Sequence, residues 1–337
     1  MKRILTALTG GTIGSAVQNG VIDVQSGVAD GLVQAAGKKF KADARFDTVC
    51  PYMILSENLV PAHWETLYNA LIDADFTAYD GVIVAHGSDT LDYTAAAFRY
   101  LLRGFCKPVV FVAANYGFGH PQSNAFDNFS AAVELILTGR AGVYSVKADS
   151  ELGIRSEECG VRSEGLGIRS EECGVRSEGL GIRSEDGQNG IQHGASSVVP
   201  HSSFLTPNSY FTVHHPPFTR KIAAICAYPG LDYRLFDFSS EPPAAILHTL
   251  YHSSTACAGP AEHSLPAFIR RCKAQHIDVY LLDGKHYLEN RRYASGEGLA
   301  ESGAYFLTGI SFEEAYAKLV IAYNQIRMSP QKYMAEK

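Results

Sequence analysis

Apolar residues along this chain follow two patterns that take turns. Short continuous runs at Ile4 to Leu8, Val82 to Ala85, Val109 to Ala113 and Gly142 to Val146 have the length and composition of buried strands. Between them apolar positions recur every three or four residues. Trp64, Leu67, Tyr68 and Leu71 are spaced in this way, which sets them along one side of a helix. The same spacing predicts helices from Tyr93 to Leu102 and from Phe126 to Leu137. Parallel strands need a crossover between them, so strands alternating with helices imply a mostly parallel sheet flanked by helices.

The alternation returns in the second half. Strands are expected at Ile222–Tyr228, Ala245–Thr249 and Ile277–Leu282, and helices at Leu265–Gln275, Gly298–Phe306 and Phe312–Ile326. The predicted fold is a two-domain α/β protein with a smaller C-terminal α/β domain. The first domain is expected to span residues 1–205 and the second 220–337. They are joined by a linker at 206–219, a stretch containing Pro207, Pro216 and Pro217.

One stretch breaks the pattern. From Gly153 to about Glu185 the chain repeats a seven-residue unit, and Gly153–Leu166 is identical to Gly167–Leu180. Each unit has one aliphatic residue with a glycine beside it. That stripe is too thin for a coiled-coil seam, and a glycine costs about 1 kcal/mol in a helix interior. Residues 153–186 are therefore expected to be a polar, flexible insertion, and function inside the repeat is not expected.

Composition narrows the class of protein. With 337 residues, 46% of them hydrophobic, a sizeable core is available. A net charge of −6 without a long basic run excludes a nucleic-acid footprint, which needs clustered Lys and Arg. No segment reaches the roughly 18 apolar residues needed to span a bilayer. The apolar run of the N-terminus is too short for a signal peptide. Seven cysteines without C-x-x-C spacing fit free thiols in a reducing compartment, and a cytoplasmic location is expected.

Two glycine-rich turns carry the candidate chemistry. Thr9-Gly10-Gly11-Thr12-Ile13-Gly14 follows the first strand, and His86-Gly87-Ser88-Asp89-Thr90-Leu91-Asp92 follows another. Both fall at the carboxyl edge of a parallel sheet, where open α/β sheets bind ligands. Glycines let the backbone approach a substrate and offer N–H donors to a developing oxyanion, and Asp89 is suited to an α-ammonium group. An ordinary strand-to-helix turn with Thr12, Ser88 or Asp89 as a cap would look the same from either motif alone. The spacing is neither that of a dinucleotide fingerprint nor that of a Walker loop. His214-His215 reads as part of the linker, His86 as a packed histidine and Trp64 as core.

The two turns together resemble the signatures of the L-asparaginase/glutaminase family, specifically its bacterial cytoplasmic type I branch. Ser56 to Trp64 is similar to the family's substrate-binding loop, and weaker similarity runs through Lys107 to Ala114 and Phe204 to Asn208. The resemblance implies that Thr12 attacks a side-chain amide to form an acyl-enzyme and release ammonia. It implies that Ser56 and Glu57 bind the α-carboxylate and α-amino group, and that Ser88 and Asp89 complete the site. It further implies a dimer or tetramer with no metal or organic cofactor. The expected substrate is L-asparagine, with L-glutamine a poorer one.

Three positions depart from the family pattern. Ser88 stands where the family has threonine, and Val21 where many members carry a lid tyrosine. Ala195 stands where the family has a lysine, and no lysine occurs between Lys147 and Lys221. Lys147 or an arginine of the repeat could reach the site in its place. The alternative is a degenerate homologue that binds asparagine or aspartate with little turnover. A related amidase that supplies ammonia for transamidation of charged tRNA is disfavoured by the lack of a basic face.

Overall fold

The computed structural model describes residues 1–18, 20–149, 153–154, 168–171, 214–282, 293, 298–299, 301–325 and 327–336. The first sheet grows from β1 (Lys2–Leu8), whose last five side chains are all buried. After a 3-10 turn at Thr12–Gly14, a small hairpin of β2 (Ser15–Gln18) and β3 (Val21–Val24) leads into α1 (Ser26–Lys39) and β4 (Ala44–Val49). A second 3-10 turn, Ser56–Asn58, precedes α2 (Pro61–Asp73), β5 (Gly81–Ala85), α3 (Leu91–Leu101), β6 (Pro108–Val112), α4 (Ala125–Thr138) and β7 (Gly142–Val146). Two-residue strands β8 (Ala148–Asp149) and β9 (Gly153–Ile154) form a hairpin, and β10 (Ile168–Glu171) returns to the sheet.

The strand order is β10-β7-β6-β5-β1-β4, parallel except for β10. Helices cover both faces, as buried parallel strands require. Leu67, Tyr68, Phe98 and Phe111 belong to the core on the α2–α3 face, and Leu32, Phe129 and Ile136 to the core on the α1–α4 face. The repeat, read from sequence as lying outside the regular structure, contributes β10. Its Ile168 to Glu171 pair antiparallel with Val146 to Val143.

A second sheet, parallel throughout, has the order β11 (Ile222–Ile225), β12 (Ala245–Thr249), β13 (Asp278–Leu282) and β14 (Tyr305–Leu307). It is accompanied by α5 (Leu265–Ala274), α6 (Phe312–Asn324) and α7 (Pro330–Ala335). The helix expected at Gly298–Phe306 is corrected in its second half: Gly298 and Leu299 are helical, but the chain turns at Glu301–Gly303, and Tyr305 to Leu307 pair with Tyr280 to Leu282. The Tyr305 ring stacks on Tyr280 at 4.9 Å, an aromatic cross-strand pair that favours a strand.

Helix α6 welds the two halves. Its Ala317, Val320 and Ile321 enter the first core, while Ala315, Leu319 and Ala322 enter the core beneath the second sheet. Glu314 accepts from Arg99 at 2.7 Å and from the Tyr100 hydroxyl at 2.7 Å, both on α3. The end of the segment expected to be a linker is pinned along α2. His214 pairs with Asp73 at 2.8 Å, and the His215 and Phe218 amides donate to Asn69 and Glu65.

Two features fix the carboxyl edge of the first sheet. The first is a contact between backbones. A Cβ on Gly11, which has φ +67°, would lie 2.2 Å from the Gly87 Cα, and a Cβ on Gly87 would lie 2.4 Å from the Ser56 Cβ. Glycine at 11 lets the turns after β1 and β5 touch, and glycine at 87 lets Ser56, on the loop after β4, close against them. The second is a buried polar chain. The Gly87 carbonyl can only accept, so His86 Nδ1 donates to it at 2.8 Å and Nε2 accepts from the Thr94 hydroxyl at 3.0 Å. Thr94 in turn accepts from Trp64 Nε1 at 3.0 Å. Burial holds the His86 pKa down at about 4, so the imidazole is neutral in the fold.

The glycine contact predicts a ranked series in urea denaturation. Gly11→Ala should cost more than about 3 kcal/mol, since both φ and a backbone clash oppose it, and Gly87→Ala about 1–3 kcal/mol. Gly37→Ala on α1, where a Cβ meets nothing within 4 Å, should stabilise by about 0.5–1 kcal/mol. Equal effects at Gly11 and Gly37 would refute the contact. The histidine chain predicts acid sensitivity. An unfolded histidine binds a proton near pH 6.5 and folded His86 near 4, so stability is full above pH 6.5 and falls as pH drops toward 4. Buried His248, also held near 4 by desolvation, acts in the same direction. His86→Gln should remove about 2–3 kcal/mol of the loss between pH 7 and 4.5. A variant as acid-sensitive as the wild type would rule His86 out.

Candidate active site

Four loops meet at the carboxyl edge of the first sheet. The β1 turn is tied to the loop after β4, with the Gly11 amide donating to the Ile54 carbonyl at 2.8 Å and the Ile54 amide to Thr9 at 3.2 Å. The β5 turn is tied to the β1 turn by the glycine contact, and the Thr9 hydroxyl donates to the Ala85 carbonyl at 2.8 Å. The loop after β6 closes from the other side. A Cβ on Gly117 would lie 1.8 Å from the Ser15 carbonyl oxygen and 3.3 Å from that of Thr12. Asn115 and Asn124 clasp the base of this loop, each amide donating to the other's side-chain oxygen at 2.9 and 3.2 Å.

These ties bring the sequence-derived residues together. Thr12 opens the first 3-10 turn half-buried, and among the described residues nothing engages its hydroxyl. Ser56 is buried and held at both ends. Its hydroxyl donates to Asp89 Oδ2 at 3.1 Å, and its carbonyl accepts from the Thr90 hydroxyl at 3.0 Å. The Ser88 hydroxyl faces Asp89 Oδ1 at 3.4 Å, so Asp89 presents its two oxygens to two serines. Ser88, Asp89 and Glu57 are exposed, which puts hydroxyl and carboxylate groups at the surface above the buried Trp64–Thr94–His86 chain.

Such an arrangement can hold a small molecule carrying an ammonium group on Asp89 and Glu57 while presenting it to the Thr12 hydroxyl. Val21, where the resemblance puts a lid tyrosine, opens β3 and is 65% exposed. Ala195 and the Phe204–Asn208 stretch lie outside the described residues. Among the described residues no three His, Cys, Asp or Glu side chains converge as metal ligands. No helix among them is long and apolar enough to cross a membrane.

Several residues that build the site carry no local signal. Thr90 and Thr94 lie in an ordinary helix start, and Trp64 reads as core from its spacing. Lys147 follows β7, 55 residues from its partner, and its Nζ sits 2.6 Å from Asp92 Oδ2. A threonine repeating at four-residue spacing just after a strand-end histidine is the one pattern that could have pointed to the buried chain.

Comparison with known proteins gives this geometry a lineage. Residues 3–150 match the family described as asparaginase, N-terminal. The D subunit of glutamyl-tRNA(Gln) amidotransferase from Pyrococcus furiosus is 34% identical over 144 residues, 41% of this chain and 32% of that protein. The L-asparaginase of Thermococcus kodakarensis is 33% identical over 166 residues, 49% of each chain. The chain thus spans about a third to a half of the length of the curated relatives it matches. Among solved structures, the thermostable L-asparaginase from Thermococcus kodakarensis has a TM-score of 0.70 at 23% identity, covering 99% of this chain and 97% of that one. L-asparaginase I from Vibrio cholerae has a TM-score of 0.65 at 20% identity, covering 100% and 97%. Likeness at these identities shows the shared two-domain α/β fold. The likeness to the asparaginase family thus rests on residues 3–150, less than half of the chain.

Proposed function

We propose that the protein hydrolyses L-asparagine to L-aspartate and ammonia, with Thr12 as nucleophile. The observation that carries this reading is the Gly11–Gly87 contact, which puts Thr12 and the Ser88–Asp89 pair on adjoining turns. On binding, the Ser56 hydroxyl turns from Asp89 to donate to the substrate's α-carboxylate, and Asp89 with Glu57 takes the α-ammonium group. The Thr12 oxygen attacks the side-chain amide carbon. Backbone N–H groups of Thr12 and Asp89, which meet no acceptor among the described residues, are available to the oxyanion. The hydroxyl proton leaves with the amide nitrogen as ammonia. Water, oriented by Ser88, then cleaves the acyl-threonine and restores the hydroxyl. The enzyme works in the cytoplasm as a homodimer or homotetramer, on this reading, and needs no cofactor.

A second reading is favoured by Ala195, which stands where the family has lysine. On that reading the chain binds asparagine or aspartate with little turnover. Similarity to amidotransferase D subunits, at identity comparable to that of the L-asparaginase, covers 41% of this chain and favours neither reading.

A coupled ammonia assay beside calorimetric titration with L-aspartate separates these readings. On the first, Thr12→Ala should lower ammonia release by more than about 10³-fold while aspartate still binds. Unchanged release would remove Thr12 as the nucleophile. Binding without release in the wild type, relieved by Ala195→Lys, would favour the second reading.

A further inference from the structure

His86 is a costly residue to keep where it stands. It is buried at the foot of the β5 turn, its amide donates to the Val112 carbonyl at 2.8 Å, and its ring meets that of Phe111 edge-on at 6.3 Å. An apolar side chain would fill this space without the loss of hydration. The imidazole therefore contributes through the bonds its two nitrogens make.

Those bonds settle where the ring proton lies. The Gly87 carbonyl can only accept, so Nδ1 carries the proton and Nε2 is left as an acceptor. The Thr94 hydroxyl, 3.0 Å from Nε2, has one proton and a second possible acceptor in the Thr90 carbonyl at 3.2 Å. That carbonyl already takes the Thr94 amide at 3.1 Å, and Trp64 Nε1 donates to the hydroxyl oxygen at 3.0 Å. The hydroxyl proton goes to Nε2, and the neutral ring is fixed in one tautomer from both sides.

What the ring holds is a peptide plane. The Gly87–Ser88 bond is trans, so its C=O and N–H point in opposite directions. With the carbonyl drawn down onto the buried imidazole, the Ser88 N–H is turned up toward the exposed side of the turn. There it meets no acceptor among the described residues. A glycine places little restriction on rotation of the peptide that follows it. The residue that lets Ser56 close in thus leaves this plane in need of a tie, and His86 supplies it.

We propose that His86 is a positioning residue: its Nδ1–H tautomer, fixed by Thr94, holds the Gly87–Ser88 peptide so that the Ser88 N–H is presented to the ligand on the turn that touches Gly11. The proposal rests on the hydrolase reading above. In that reaction an outward donor meets negative charge that grows as Thr12 attacks. Its loss lowers kcat and spares ground-state binding.

The test joins a spectroscopic readout to a pair of amide variants. In nitrogen-labelled protein at neutral pH, the His86 resonances should show a protonated Nδ1 and a bare Nε2, and the opposite tautomer would overturn the proposal. His86→Asn sets a side-chain N–H in the place of Nδ1. His86→Gln reaches instead to the place of Nε2 and leaves the Gly87 carbonyl without its donor. Thermal melts check that both are folded. Gln should lower kcat for L-asparagine about 10²-fold with Kd for L-aspartate within about threefold of wild type, and Asn should recover at least about tenfold of that loss. A residue that only filled space would rank them the other way, since Gln is closer to His in size and still meets Thr94. Equal kcat values, or Gln above Asn, would therefore sink the proposal. If the wild type binds L-aspartate but releases no ammonia, the same order is read from the shift of the Ser88 amide proton on binding. If it neither binds nor releases, the hydrolase reading fails and this role falls with it, whereas the wrong tautomer in an active enzyme removes this inference alone.

Discussion

Everything at the carboxyl edge depends on two backbones approaching where neither carries a side chain. Strands β1 and β5 run side by side to Leu8 and Ala85, and their turns then stay in contact through Gly11 and Gly87. Parallel strands bring their ends to one edge, but they do not by themselves press two turns together. Side chains at these positions would push the turns apart by ångströms, which is the scale on which a hydroxyl either reaches an amide carbon or misses it. The contact is thus both a packing fact and the condition for any shared chemistry between the two motifs.

Behind that contact the structure divides its polar groups by burial. Trp64, Thr94 and His86 form a chain in which each donor and acceptor is used, and it ends on the Gly87 carbonyl. A satisfied buried chain stiffens the turn from below, whereas a neutral histidine adds no charge under the acidic rim. The charged groups sit above, where water reaches them and a zwitterionic ligand could replace that water. Helix α6, with apolar residues in two cores, ties this base to the second sheet.

How much of this could be read from sequence varies with how local the signal is. Strands β7 and β12 match the expected spans end to end because continuous apolar runs are bounded by clear breaks. Strand β4 gave no such signal: it lies at the sheet edge, and Arg45 and Asp47 interrupt its apolar positions. Helix α1 carries Gly27, Gly31 and Gly37, which blur its period. The segment at Tyr305–Leu307 was expected to be helical, and its pairing with β13 and the Tyr280 stack override that local pattern. Among site residues, Thr12, Ser56, Glu57, Ser88 and Asp89 stand out because each sits in a short turn motif. The Lys147–Asp92 pair does not, since only the strand order of a finished sheet brings those residues together.

The strand β10 has a consequence for how this gene can change. Its sequence, Ile-Arg-Ser-Glu at 168–171, is spelled again at 154–157 and at 182–185. Identical fourteen-residue units are the natural substrate for slippage and unequal exchange during DNA replication, which add or delete whole copies. A chain that lost one copy would still offer the same four residues to the open edge of β7. Expansion or contraction of the array would alter the length of the connection and leave the paired sequence unchanged. The sheet edge beside Lys147 is in this sense insured against the instability of the DNA that encodes it.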